Sequence, residues 1–519
     1  MNHNGFIAVF LFWFTWMTSG QSQEPFTVTD KPLRIEITAH SDKETYRIIP
    51  CGSAGMILFY KSVEVTPDNS TRWYFTFYDR NLQKSWVKSA PILSSLDYRD
   101  VATGEDTLYF YFETNKKNKN KEVEFQILSV LLQTGSFILN NGKTPESGTM
   151  VSFEVIRRQA YIGINNENNE PAILIMDLPT GKPSLVPLMP GEPSSLVRCS
   201  IDPADLMINA LIYKQLSKNN NVLFLCRYLS DGKKVFESQV SNKNSGRDFI
   251  HASEIDISNT ETLIAGTYTV ASAGKKSKEI ESTGVFVSPF ISSIQESMNF
   301  YNFLDFKNIS QLLSENDILS LRKKSMKKSR SDQEYSLDFS LLLHDILPWN
   351  NQFIVAAEAY NPQYHTESFT DYDFYGRPYT NSYSVFDGYR FTGIILASFD
   401  KEGKLIWDNA MKLRNVLSLT LEPKVTIYPA GNELILTYFS EGKVACRIID
   451  KDKTIEKTSF SELELMTAND KLLAESGSIM VHWFDEYFLC WGYQEIRDIS
   501  IGGNDKRMVF FCNKVRFDR

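Results

Sequence analysis

The chain has 519 residues, is 42% hydrophobic and 23% charged, and carries a formal net charge of −8. That composition is globular, with ample length for a large core, and it excludes a disordered or collagen-like chain. The acidic balance argues against a general nucleic-acid binder, which needs a basic footprint.

In chain order, the first feature is residues 6–17, FIAVFLFWFTWM, an apolar run of 12. It is too short to cross a bilayer comfortably. Small residues follow at Thr18, Ser19 and Gly20, so the run reads as a secretory signal peptide over residues 1–20, cleaved before Gln21. The preceding MNHNG has no Lys or Arg, and a membrane anchor is the alternative. No later stretch reaches transmembrane length. The expected location is therefore outside the cytoplasm: periplasmic or associated with the outer membrane, with an extracellular location as the alternative.

From residue 21 to 519 one pattern recurs: an apolar strand, a polar turn, then a second strand ending on an aromatic or Leu. The clearest copies are FTFYDRNLQKSW (75–86) and LASFDKEGKLIW (396–407), each with seven positions from Asp to Trp. CRYLSDGKKVF (226–236) puts Phe236 at the Trp position, and LIMDLPTGKPSL (174–185) has a longer turn and ends on Leu185. Weaker copies are LSVLLQTGSFIL (128–139) and CRIIDKDKTIEKT (446–458); FVSPFISSIQES (286–297) and FFCNKVRF (510–517) fit by position only. Asp bonds the backbone of such a turn and Gly tolerates positive φ, so each copy reads as a hairpin. Turns are expected near residues 79, 132, 178, 229, 289, 400, 450 and 512, mostly at the spacing of four-stranded blades. The fold class predicted is all-β: a single β-propeller, eight blades by this count with seven as the alternative, plus a small helical insertion. The last repeat lacks an outer strand, and LRIEITAH (33–40) is placed to supply it.

Two segments break the rhythm. Residues 307–330 carry Leu312, Leu313, Ile318 and Leu319 at helical spacing, followed by a basic patch of Arg322, Lys323, Lys324, Lys327, Lys328 and Arg330. The patch is either a solvated helix end or a contact for an acidic partner or anionic surface. Residues 361–391 form an aromatic-rich insertion with Gly376, Pro378 and Gly388, predicted as a long loop between two inner strands. Its rings either pack on their own propeller or stay exposed for a partner. Tyr372, Tyr375, Arg377, Tyr379, Tyr383 and Tyr389 are the candidate binding residues, since Tyr and Arg anchor interfaces.

Asp177, Thr180, Gly181 and Lys182, with Leu185 in the place of Trp, resemble the Asp-x-x-Thr-Gly-Lys-x-x-Trp repeat of propellers related to pyrroloquinoline-quinone enzymes. That family is typically eight-bladed. It includes quinone dehydrogenases and a non-enzymatic scaffold of the outer-membrane barrel-assembly machinery. The quinone enzymes carry a vicinal Cys–Cys pair that this sequence lacks, so the resemblance implies a scaffold without a cofactor. The whole chain is also similar to uncharacterised secreted propellers of Gram-negative bacteria.

Catalytic signatures are missing from the sequence. His40, His251, His344, His365 and His482 are scattered, without HExxH, and there is no GxSxG elbow. Ser398 and Asp400 begin like a sialidase Asp box, but Gly403 and Trp407 come too late. Asp371, Asp373, Gly376 and Asp387 are better read as turn residues than as a calcium loop, so no metal is expected. The six cysteines have no CxxC and read as buried thiols, with Cys490 and Cys512 the pair to test for a disulfide. The expected function is a non-enzymatic envelope scaffold that engages another protein, for instance in an outer-membrane assembly or secretion complex. The alternatives are a glycan-active hydrolase or lyase and a glycan-binding module.

Overall fold

The computed structural model describes residues 33–40, 45–114, 122–144, 148–217, 220–242, 246–270, 281–314, 316, 318–320, 337–500 and 506–517. The expected signal peptide, residues 1–20, and the whole basic patch lie outside these residues. Among the described residues the chain builds eight antiparallel sheets, each with at least four strands. They span residues 47–93, 96–144, 149–187, 194–239, 247–302, 340–418, 426–462, and 470–516 joined by 33–39. The fold is a β-propeller. No described helix is long and apolar enough to cross a membrane.

Strand composition follows position. Middle strands are covered on both faces and read as continuous apolar runs, such as PAILIMD at Pro171–Asp177. Most fourth strands face solvent and alternate, as in KTIEKTSFSE at Lys453–Glu462, whereas that of the sixth sheet, Leu405–Ser418, is buried along its first half. The first strands therefore line the centre.

Eight apolar clusters join each sheet to the next. Between the first and second sheets, Phe59 and Phe110 meet edge-on at 5.0 Å, as do Trp73 and Phe112. Each such ring pair adds about 0.5–1.5 kcal/mol to area burial. Between the eighth and first sheets, Trp491, Phe510 and Cys512 pack on Met56, Leu58 and Tyr78. Trp483 Nε1 donates to Gly55 O across the same junction at 2.8 Å. The fourth strand of the eighth sheet is Leu33–Ala39, antiparallel to Lys506–Arg516 from Leu33↔Lys514 to Ala39↔Met508.

The turns at 79, 132, 178, 229, 400 and 450 fall where third and fourth strands meet. Asp79 Oδ1 accepts from Asn81 N and Gln83 N at 2.8 Å, and Asp400 Oδ1 from Lys404 N at 2.7 Å. Trp86 reaches the second sheet, donating from Nε1 to Leu132 O at 2.8 Å, whereas Leu185 is exposed. Two turn positions differ. The strand through Pro289 runs on to Ile291 and turns at Ser292–Ser293, both at positive φ. Residue 512 lies inside the last strand, because the eighth sheet takes its fourth strand from the other end of the chain and has no hairpin there.

Two further expectations change, and the cysteine pair to be tested is decided. Of the helix expected over 307–330, the described part is a 3-10 turn at Ile309–Leu312 with helical residues at 316 and 318–320, and 321–330 lie outside the described residues. Ile309 and Leu312 tuck against the cluster between the fifth and sixth sheets. The aromatic insertion is a hairpin, not a loop: it prolongs the second and third strands of the sixth sheet, Gln352–Tyr372 and Pro378–Phe399. Cys490 and Cys512 face opposite ways, because Cys490 pairs with Asn513 and Cys512 with Trp491. One thiol enters the cluster toward the seventh sheet and the other the cluster toward the first, so no disulfide joins them; all six cysteines are free thiols.

Removing residues 33–40 should uncover the edge of Lys506–Arg516 and the apolar side of Ile35 and Ile37. The expected loss is on the order of 5 °C in melting temperature, read by calorimetry. An unchanged melting temperature would remove the closing strand from the list of stabilising elements.

Candidate functional site

The sixth sheet carries the most prominent surface feature. Its first strand pairs only with 357–360 and its fourth only with residues between Tyr389 and Phe399. Beyond these points the two long strands pair with each other alone, from Gln363↔Gly388 to Tyr372↔Pro378. At about 3.4 Å per residue the projection is roughly 35 Å long.

The tip is an Asp turn. Asp373 Oδ1 accepts from Tyr375 N at 2.9 Å and Arg377 N at 2.8 Å, and Gly376 sits at φ +72°. Asp371 accepts from the Tyr379 hydroxyl at 3.0 Å and Asp387 faces His365, so these carboxylates serve the hairpin itself. No group of three or more metal-ligating side chains occurs among the described residues.

Directly paired residues share a face, so the register sorts the rings. One face holds a ladder that starts in the core at Phe391. It continues through Tyr360 (6.2 Å), Tyr389 (5.5 Å from Tyr360), Phe386 (5.0 Å) and Tyr364 (5.4 Å). The other face holds His365, Glu367, Phe369 and Asp371 opposite Val385, Tyr383, Asn381 and Tyr379. There the Tyr383 hydroxyl donates to Glu367, and His365 Nδ1 lies 2.5 Å from Asp387 Oδ1.

Of the six residues singled out from the sequence, Tyr372, Tyr375, Arg377, Tyr379 and Tyr383 are exposed, with Arg377 stacked over the Tyr375 ring at 5.3 Å. Tyr389 is half-buried and belongs to the ladder that anchors the hairpin to the core. Phe374, 98% exposed, is not among the six, nor are Tyr364, Phe369 and Phe386. The alternation that exposes them becomes visible only once the segment is read as strand. Eight of the ten exposed aromatics among the described residues lie on this hairpin; Phe137 and Phe460 are the others.

Hydrogen bonds from Asp387 and then Glu367 hold the His365 imidazole above its ordinary pKa. The charged form is favoured in the folded hairpin, so its contribution is complete below the ordinary value of about 6.5 and is lost as pH rises through the His365 pKa. An NMR titration should put the His365 midpoint above that value, and Asp387→Asn should lower it part of the way back, with Glu367 still in place.

A second polar cluster lies toward the centre. Arg198, on the first strand of the fourth sheet, reaches Asp345 of the sixth at 2.5 Å and Glu254 of the fifth at 3.9 Å. Glu154 of the third accepts from Ile201 N at 3.2 Å. Burial pushes the Glu254 carboxyl up to about 7, against the opposing Arg198 charge and the Ser200 hydrogen bond. Among the described residues its Oε2 has no hydrogen-bond partner. The unfolded carboxyl, near 4.5, ionises first, so stability falls as pH rises from there toward 7 and the full cost stands above it. Glu254→Gln should therefore stabilise the protein above pH 7, by on the order of 3 kcal/mol. It should give no gain at pH 4.5 and below; urea unfolding at both pH values reads the difference.

No family model matches the sequence, and no curated protein matches it. Among solved structures 218 chains match. The tricorn protease aligns at TM-score 0.38 and 13% identity, over 83% of this chain and 36% of that one. A polysaccharide lyase aligns at TM-score 0.40 and 8% identity, over 80% and 89%. A structure from a study of two prolyl endopeptidases aligns at TM-score 0.35 and 7% identity, over 80% and 50%. The chain thus spans about a third of the tricorn protease. At these scores the likenesses carry no argument about activity.

Proposed function

We propose that this chain is a non-enzymatic binding protein of the bacterial cell envelope, a secreted propeller that engages another protein through the hairpin of its sixth sheet. The observation that carries the proposal is the concentration of exposed rings on one projecting element. Tyr364, Phe369, Tyr372, Phe374, Tyr375, Tyr379, Tyr383 and Phe386 are all exposed on a two-stranded ribbon. Apolar surface gathered in this way marks an interaction site. Phe374 and Tyr375 at the tip, with Arg377 beside them, suit a concave pocket on a partner protein, since aromatic and Arg side chains are the usual anchors of interfaces. The apolar run at residues 6–17 supports export, and the propeller supplies a rigid platform. An outer-membrane assembly or secretion complex is the setting this reading favours.

The test replaces residues 363–388 with an Asn-Gly turn that joins the Pro362↔Tyr389 pair. The full-length protein and this variant are used for affinity capture from solubilised envelopes, with thermal unfolding beside it. The expected result is a stoichiometric envelope protein that the variant, and a Phe374→Ser/Tyr375→Ser double variant, fail to capture. Melting temperatures should stay within about 2–4 °C, the shift for 1 kcal/mol in a large domain. Capture by both variants, or none by the intact protein, would overturn the reading.

A further inference from the structure

Beside the base of the hairpin, over one end of the seventh sheet, lies a cavity of about 500 Å³. Its walls come from three sheets. Leu417 ends the fourth strand of the sixth sheet, and Lys424 stands just before the first strand of the seventh. Phe439 and Glu441 sit at the seventh sheet's second turn, and Glu475 and Ser478 lie on the first strand of the eighth. That last strand is irregular here: its register shifts between Leu472 and Ala474 and again between Ser476 and Ile479, with Gly477 at φ +63°. Bulges of this kind re-aim side chains and gather at functional sites.

Lys424 is the unusual member. The residue is 6% exposed, and among the described residues no hydrogen bond or ion pair reaches its Nζ. The Glu358 carboxylate, which meets its backbone, is already committed. Glu358 accepts from Lys424 N at 2.9 and 3.0 Å, Val425 N at 2.8 Å and His344 Nε2 at 2.8 Å. Burying an ammonium is costly, and desolvation pulls its pKa below the ordinary lysine value while the charges of Glu422 and then Glu358 oppose the shift. Ser478 Oγ is buried in the same lining beside the Glu475 carboxyl, where it opposes the rise that burial imposes on that group. Glu475 itself accepts from Gly442 N at 2.7 Å, and Glu441 accepts from Asn415 Nδ2 at 2.9 Å.

We propose that this cavity is a binding site for a small organic monoacid. The ligand's carboxylate pairs with Lys424 Nζ, other oxygens meet Ser478 Oγ, and its own O–H or N–H groups donate toward Glu441. The two carboxylates in the lining select against polyanions, which would meet like charge. The apolar walls at Leu417 and Phe439 take the carbon skeleton. The volume is within the range of small-molecule sites. An acidic sugar and an amino acid share this chemistry, and the two are separated by experiment. The inference is independent of the hairpin and of its protein partner.

The experiment is calorimetric titration of the full-length protein with glucuronate, serine, glucose and citrate. Glucuronate, serine or both should saturate one site per chain in the millimolar range or tighter, while neutral glucose and trianionic citrate should not. Saturation by glucuronate alone assigns an acidic sugar, and by serine alone an amino acid. Lys424→Met, which keeps the aliphatic stem, should weaken binding at least about tenfold, the loss of one charge-assisted contact, and Lys424→Arg should restore part of it. If Lys424→Met does not fold, Ser478→Ala carries the test, with an expected loss of about fivefold. The proposal is overturned if neither monoacid saturates, if citrate or glucose binds as well, or if the variant that folds binds like the original.

Discussion

Every sheet in this ring is covered on both faces, and the rest of the structure depends on how the middle strands meet that demand. A strand sends successive side chains to opposite faces. In the second sheet Phe110 enters the cluster toward the first sheet, and Tyr111, one residue on, enters the cluster toward the third. Ile394 and Ile395 divide in the same way between the seventh and fifth neighbours of the sixth sheet, and Cys490 and Trp491 between the neighbours of the eighth. A middle strand therefore has little solvent side, and a charge placed there is met inside, as Glu358 is by the Lys424 and Val425 amides. Polar side chains there turn to the backbone, as where Thr437 Oγ1 donates to Ala445 O at 2.8 Å.

The hairpin of the sixth sheet is what those strands become once the neighbours stop. Up to Ala359 and from Gly393 onward the strands are mainly apolar on both faces; between them Ser and Thr alternate with rings, and stability comes from cross-strand pairs worth roughly 0.2–1 kcal/mol each. The aromatic ladder from Phe391 to Tyr364 grades one regime into the other. It ties an element with little core of its own to the interior, leaving the tip free of internal duties.

Much of the fold was legible because hairpin turns are local. Asp79 and Asp400 make the backbone bonds that their residue type suggests, within four positions of themselves. The hairpin of the sixth sheet eludes the same local reading. Gly376, Pro378 and the polar residues between the rings are loop-like taken singly, yet only Gly376 and Pro378 lie at the turn, while Gly388 marks a bulge within the strand. The surroundings of Glu254 and Lys424 cannot be seen locally at all. Arg198 meets Asp345 at a separation of 147 positions, and Glu358 meets Lys424 at 66. Sites assembled from three sheets leave no spacing for a sequence to display.

The eighth sheet binds the two ends of the described chain, and this has a consequence for how the ring comes into being. Arg34 hydrogen-bonds Asn513 across 479 positions. Seven sheets can form from contiguous sequence as the chain emerges, but the eighth cannot be completed until its last strand exists. Contacts of such separation are slow to form, because the loop they close must be ordered first. Until then Leu33–Ala39 waits without its partner, and the first and eighth sheets each offer an uncovered apolar face. A chain interrupted late in synthesis would thus hold nearly all its sheets and still be an open arc, prone to join its free faces to another molecule in the same condition.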